Sequence, residues 1–433
     1  AAAVLVTRLL VWTPSLNTDA WAYTAWAKAI LRGERPVFDY LPTTPKPLAI
    51  ALAAVASPID AERVFGVVVA VALAAIATAL FTVGMREGGT VAGVVSVTAF
   101  ACLPHLNAFI VFGTVDAVSA ALLVGALAVT GRARLACLIL AGLLRPEAWV
   151  LSGMVGAIQA GGSTLRRVVA GAAYGLLPAA LWSATDLVLS DDPLASLHQA
   201  GRILDDFREA GFRAPSWLSV PGSVIEVVST QTGALVAIAG VFGLTVHTWT
   251  RRRAGTLDPL LPAAAVVWTL GPAIEMHSGP VPGRYFLPAA ALLALGCGLL
   301  AGQATRGTSA LPAVGAAAAI AALIASAATM DYPASGRSAQ LAAAISASVP
   351  AIDRALACGR VRVMNPQGAA TEGGRIYVSE LAARTGHSVR RFGSIGHNFG
   401  AVLRVRGSAG PLPPWPRVST PIGTLALDPD RCP

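Results

Sequence analysis

One carboxylate, Asp19, stands among aromatics in the stretch SLNTDAWAYTAWAK, residues 15–28, directly after the first apolar segment of the chain. An acid held at the end of a spanning helix, with Trp12, Trp21, Tyr23 and Trp26 seating it at an interface, can take a proton from an attacking hydroxyl. The same position suits a helix N-cap, as do Asn17 and Thr18, and the two readings stand side by side. Asp116, in FGTVDAVSAALLVGALAV, lies near the start of another helix and has the same pair of readings, partner of Asp19 or cap. Were a divalent cation (magnesium or manganese) used, these two acids would hold it; no motif requires a cofactor.

Around these acids fall cations suited to phosphate. Arg145 and Glu147 occupy LLRPEAW, Arg284 and Tyr285 occupy PGRYFLP with His277 just before, and Lys46 lies in TPKPL. A guanidinium offers a planar fork to phosphate oxygens, and an ammonium a compact charge. A single arginine at a helix end is commonly a snorkelling side chain. Several cations converging with an acid on one face fit an anionic lipid head group better. Arg8, inside the first apolar segment, fits either a phosphate contact or mere closeness to the interface.

The elements that must position these residues are apolar. Hydrophobic residues form 55% of the 433, and mean hydropathy is +0.64, which excludes an ordinary water-soluble globule. Apolar segments fall at about 1–13, 64–84, 89–104, 108–130, 135–144, 147–159, 166–188, 223–249, 259–275, 284–303 and 309–329, roughly eleven crossings or half-crossings. Ala1 is not an initiator, so the first of them is expected to have lost residues. Connectors holding Arg86, Arg132, Arg134, Arg166, Arg167, Arg251, Arg252, Arg253 and Arg306 contain few acids, which makes them cytoplasmic by the positive-inside rule. The net charge of +9 is thereby assigned to membrane sidedness, and no nucleic-acid partner is expected. The N-terminus is then cytoplasmic, and the loops 14–63 and 189–222 and the tail from about 331 are extracytoplasmic. Arginine used almost to the exclusion of lysine, with abundant Ala and Val, suits the plasma membrane of a GC-rich bacterium.

Two segments depart from plain spans. LILAGLLRPEAWVLSGMVGAI pairs two short apolar arms around Arg145, Pro146 and Glu147, a tip expected inside protein just below the outer surface. KPLAIALAAVASPI is too short to span and suits an interfacial helix, as does SDDPLASLHQAGRILDDFREAGF over the mouth of the bundle. The tail mixes helix-like and strand-like runs and is expected to form a small α/β or α+β domain over 331–433. Cys358 and Cys432 lie in it as a disulfide candidate, whereas Cys102, Cys137 and Cys297 read as small buried hydrophobes.

In order and sidedness these pieces resemble the integral membrane glycosyltransferases of the GT-C fold, a class that includes protein O-mannosyltransferases, lipid A aminoarabinose transferases and actinobacterial mannosyl- and arabinosyltransferases. The resemblance rests on Asp19 in LNTDAWAY, Lys46 in TPKPLAIAL, Asp116 in FGTVDAVSAALL, Arg145 and Glu147 in LLRPEAW, and Arg284 and Tyr285 in PGRYFLP. It implies an all-α polytopic bundle over 1–330 with a C-terminal extracytoplasmic domain. It implies transfer of a sugar, mannose or arabinose foremost, from a polyprenyl-phosphate donor to a hydroxyl of an extracytoplasmic acceptor, with inversion. Asp19 would be the base, Lys46, Arg145 and Arg284 the phosphate ligands, and Asp116, Glu147, His277 and Tyr285 would orient sugar or acceptor. Some relatives carry an adjacent acidic pair where this chain has one acid. A transporter or flippase would also place charges among broken helices, but the polar candidates gather at the outer face and no internal repeat is visible. A non-catalytic partner-binding subunit is the remaining alternative.

Overall fold

The computed structural model describes residues 16–36, 38, 43–103, 106, 113–209, 215–278, 283–305, 347–357, 360–364, 392–393, 399–405, 417–420 and 423–427. The expected first and last spans, 1–13 and 309–329, Arg8, and the pair Cys358 and Cys432 lie outside the described residues.

The chain is mostly helical. Two short helices come first, α1 (Thr18–Leu31) and α2 (Pro47–Ala56), followed by α3 (Ala61–Gly88), α4 (Thr90–Ala101), α5 (Asp116–Ala128), α6 (Gly131–Gly142) and α7 (Glu147–Ala160). Then come α8 (Thr164–Ser190), α9 (Ala195–Glu209), α10 (Val220–Thr232), α11 (Ala234–Arg253) and α12 (Leu260–Ser278), and a 3-10 turn (Gly283–Phe286) runs straight into α13 (Leu287–Thr305). Among the described residues, Ala61–Gly88, Thr164–Ser190 and Gly283–Thr305 are long and apolar enough to cross a membrane, and a bent pair raises this to four. That pair corrects the sequence reading of one segment over 223–249. The chain bends by 106° between α10 and α11, at Gly233, whose φ of 79° is the left-handed conformation that glycine adopts without a Cβ penalty.

Small residues let the bundle close. A Cβ on Gly243 would stand 2.0 Å from the Gly296 carbonyl oxygen, and one on Gly240 would stand 2.4 Å from that of Leu293, so α11 and α13 meet backbone to backbone. On another side of α13, a Cβ on Gly302 would lie 2.5 Å from the Gly88 carbonyl oxygen, and one on Gly298 2.3 Å from that of Ala92. The short arms expected around Arg145 are α6 and α7, and Trp149 Nε1 donates to the Gly142 carbonyl at 2.8 Å to hold the tip together.

Three of the arginine-bearing connectors, those of Arg86, Arg134 and Arg251, carry ion pairs and hydrogen bonds at one end of the bundle. Arg251 Nη2 lies 2.9 Å from Glu87 Oε2, Arg86 Nη2 donates to the Leu127 carbonyl at 3.1 Å, and Arg134 Nη2 lies 2.9 Å from Asp258 Oδ2. Leu127 closes α5 and Asp116 opens it, so this ionic cluster and the candidate site stand at opposite ends of that helix.

In the C-terminal region a helix over residues 347–357 precedes a five-stranded mixed sheet of order β2-β1-β3-β5-β4. The strands are β1 (Arg360–Met364), β2 (Phe392–Gly393), β3 (Phe399–Val405), β4 (Arg417–Thr420) and β5 (Gly423–Leu427). β1 runs parallel to β2 and β3, whereas β5 pairs antiparallel with β3 and β4. Ile352, Ala355, Leu356 and Leu425 share one hydrophobic cluster with Trp21, Tyr23 and Trp26 of α1, so the sheet and its helix are packed against the site-bearing end of the chain.

Candidate active site

The first turns of four helices and the 3-10 turn carry the site, which sets several helix-dipole N-termini around a group of charged side chains. Asn17 caps α1, its side chain accepting from the Ala20 amide at 2.8 Å. The capping role that the sequence left open for Asp19 therefore falls to Asn17, and Asp19 turns to other partners. Thr43 Oγ1 donates to Asp19 Oδ1 at 2.8 Å, and Arg284 Nη2 donates to Asp19 Oδ2 at 2.5 Å. Asp116, in the first turn of α5, makes no side-chain cap either. It faces three cations: Arg145 Nη2 at 3.0 Å, Arg284 Nε at 3.2 Å and Lys46 Nζ at 3.9 Å. Its side chain is 4% exposed, and a carboxylate so far from water persists because several positive charges compensate it.

Lys46 occupies the N-cap position of α2, with Pro47 as the first helical residue, and is itself buried. Burial pushes its pKa below the ordinary lysine range, against the opposing pull of Asp116. Tyr285 forms a floor to the cations, its ring centroid 3.4 Å from Arg145 Cζ, 5.7 Å from Lys46 Nζ and 5.8 Å from Arg284 Cζ. Glu147, in the first turn of α7, has Oε1 3.7 Å from Arg145 Nη1.

Two members of this group were not visible in the sequence reading. Thr43 is one; its only hint was its place three residues before Lys46. The other is Glu275 of α12, whose Oε2 lies 3.8 Å from Arg145 Nη1, and whose hint was an acid in an otherwise apolar helix. His277 goes elsewhere: its Nδ1 contacts the Pro215 carbonyl at 2.8 Å and its ring stacks on Trp217 with centroids 3.9 Å apart.

The loop carrying Lys46 is fastened from outside. Ser196, opening α9, donates through Oγ to the Pro45 carbonyl at 3.0 Å, lies 2.8 Å from Asp186 Oδ1 and accepts from Trp182 Nε1 at 2.8 Å. A buried serine thus ties α8, α9 and the Lys46 loop together.

The donor set does not fit a divalent cation. Asp19 and Asp116 are bridged by Arg284 and flanked by two further cations, and no group of three or more His, Cys, Asp or Glu among the described residues could hold a metal ion. The chemistry open to the arrangement is that of a half-buried carboxylate beside clustered cations: proton abstraction next to a site for an anionic leaving group.

The chain matches no protein-family model and no curated protein sequence. It is similar in structure to ArnT from Cupriavidus metallidurans bound to undecaprenyl phosphate, with a TM-score of 0.61, 13% identity, and coverage of 99% of this chain and 97% of that one. ArnT from the same organism in the apo state gives a TM-score of 0.53 at 13% identity, over 89% of this chain and 84% of that one. ArnT is a GT-C aminoarabinose transferase.

Proposed function

We propose that this chain, which has the GT-C fold of ArnT, is a membrane glycosyltransferase that moves a sugar from a polyprenyl-phosphate donor to a hydroxyl of an extracytoplasmic acceptor such as a cell-envelope glycan, a glycolipid or a protein. The observation that carries the reading is the gathering of Lys46, Arg145 and Arg284 on Asp116, with Asp19 at its edge. Three cations on one carboxylate leave donor capacity for a phosphate, and the helix first turns around them favour the same anion. The fold supports the reading because one protein that shares it was crystallised with undecaprenyl phosphate.

In the reaction, the acceptor oxygen attacks the anomeric carbon as Asp19 takes the hydroxyl proton. The bond from that carbon to the phosphate oxygen breaks, its electron pair leaving on the polyprenyl phosphate, and attack opposite the leaving group inverts the centre. Lys46, Arg145 and Arg284 neutralise the phosphate charge that grows as the bond breaks. Arg284 links the two halves of the chemistry, because a phosphate that draws it away from Asp19 releases the carboxylate oxygen that must accept the proton. Asp116 holds the three cations in place, and Glu147 and Tyr285 line the position of the sugar. The sugar favoured is mannose or arabinose.

The test is transfer from radiolabelled polyprenyl-phosphate mannose and arabinose in membranes containing the intact protein or Asp19→Asn. Transfer that disappears in the variant while lipid binding persists supports the reading; equal transfer by both removes Asp19 as base, and no transfer from either donor counts against these sugars.

A further inference from the structure

Glu147 is a carboxylate with an unmet requirement. Its side chain is 8% exposed, and among the described residues neither carboxylate oxygen accepts a hydrogen bond. A buried anion in that condition is expensive unless something supplies donors. Arg145 Nη1, 3.7 Å away, is too distant to be such a donor. Room has been kept for the side chain on the facing helix, since a Cβ on Gly271 would stand 2.6 Å from Glu147 Cγ. One turn further along α12, Glu275 brings a second carboxylate to the same guanidinium, at 3.8 Å, and with 38% of its side chain exposed it lies nearer the open side. The two acids stand on one side of Arg145, away from the hydrogen bond that its Nη2 makes to Asp116.

We infer that Glu147 and Glu275 form the wall that selects the donor sugar, accepting hydrogen bonds from a neutral, hydroxyl-bearing edge and rejecting sugars that carry a carboxylate. The inference rests on the glycosyltransferase reading above, because it takes the phosphate to be held by the cations beside this wall. Charge decides the selectivity. Glu147 and Glu275 set two carboxyl groups beside Arg145, and a donor phosphate adds negative charge to the same site. A uronic acid would bring a further carboxylate against these two acids, and like charges in close juxtaposition repel. Sugar hydroxyls instead donate to the oxygens that have no partner, and a site built to accept those hydrogen bonds discriminates against analogues that cannot make them.

The experiment is equilibrium binding of decaprenyl phosphate, decaprenyl-phosphate mannose and decaprenyl-phosphate glucuronic acid to the full chain in lipid nanodiscs, for the native protein, Glu275→Gln and the Glu147→Gln/Glu275→Gln double variant. The expected result is mannose conjugate bound at least as tightly as the bare phosphate and glucuronic conjugate at least about tenfold more weakly, with the gap closing to about threefold in the double variant. Glu275→Gln, changed at the more exposed position, narrows the gap by itself and serves if the double variant does not fold. Equal binding of the two conjugates, or a gap unchanged in both variants, overturns the selection wall while leaving the phosphate site standing. Failure of bare decaprenyl phosphate to bind overturns the phosphate site, and the inference with it.

Discussion

Asp19 and Arg284 hold each other directly, Oδ2 to Nη2, although the first belongs to the opening turn of α1 and the second to the turn that leads into α13. The proposed base and a proposed phosphate ligand are thus one ion pair before substrate arrives. Asp19→Asn is expected to lower transfer by about 10²- to 10⁴-fold, the usual contribution of general-base catalysis. Bare polyprenyl phosphate is expected to bind as well or better, since Arg284 loses a competing anion. Transfer rate and phosphate binding measured on the same preparation decide it, and weakened phosphate binding in the variant would show that Asp19 positions Arg284 instead of competing for it.

Asp116 should matter to stability as much as to chemistry. Replacing it with asparagine leaves Lys46, Arg145 and Arg284 facing one another without their shared anion, and loss of one partner of a buried charge pair destabilises by about 3–5 kcal/mol. Thermal unfolding in detergent is expected to show a much larger drop for Asp116→Asn than for Asp19→Asn, whose carboxylate is at the edge of the cluster. Equal drops would mean that the cations are not centred on Asp116.

Lys46 gives a pH dependence with two opposite signs. Burial makes its ammonium lose its proton at lower pH than an ordinary lysine, so the cation is present below that value and absent above it. Binding of polyprenyl phosphate should therefore weaken on the alkaline side before the usual lysine range is reached, and Lys46→Arg should extend binding to higher pH. Folding stability should move the other way. The unfolded chain keeps the proton over that window and the folded one does not, so stability rises with pH as the folded lysine titrates. Superimposable binding profiles for the native chain and Lys46→Arg would remove Lys46 from the phosphate site.

Gly271→Ala is a probe of the sugar-facing wall. The added methyl meets Glu147 Cγ, and the expected outcome is a displaced carboxylate with a stability loss of about 1–3 kcal/mol. Transfer from the neutral donor should fall through KM more than through kcat. A fall confined to kcat would place Glu147 in the chemical step.

Removal of the Thr43 hydroxyl offers a smaller test. Thr43→Val takes away the hydrogen bond to Asp19 Oδ1, and the loss expected is about 1.5–3 kcal/mol, roughly tenfold to a hundredfold in kcat/KM. Retention of full activity would show that Arg284 alone orients Asp19.

The charged residues of the site were legible because charge is rare in this chain: Lys46, Asp116, Arg145, Glu147 and Arg284 each interrupt an apolar run, and all five lie together with Asp19 and Tyr285. Their mutual pairing was not legible, because it depends on which helix first turns meet in space. Asp19 and Asp116 both resembled caps, and only the geometry separates them from Asn17, which performs that role at α1. His277, expected from the resemblance to orient sugar or acceptor, has its Nδ1 on the Pro215 carbonyl and its ring stacked on Trp217. Glu275, two residues earlier, is not distinguished by the sequence; it lies four positions after Gly271, but helical periodicity does not say which face another chain segment covers. The bend at Gly233 was the reverse case, a glycine inside an apolar run that the hydropathy of residues 223–249 masked.

The glycine contacts of α13 fix the mechanical reference of the site. With Gly243 and Gly296 in backbone contact on one side, and Gly88 and Gly302 on another, the helix is seated closely on two neighbours. It acts as a post, and Arg284 and Tyr285 are mounted on its end. Facing it are α1, α2 and the Lys46 loop that Ser196 fastens. Asp19, the residue proposed to receive the proton, is held across from that post by one hydroxyl and one guanidinium, those of Thr43 and Arg284.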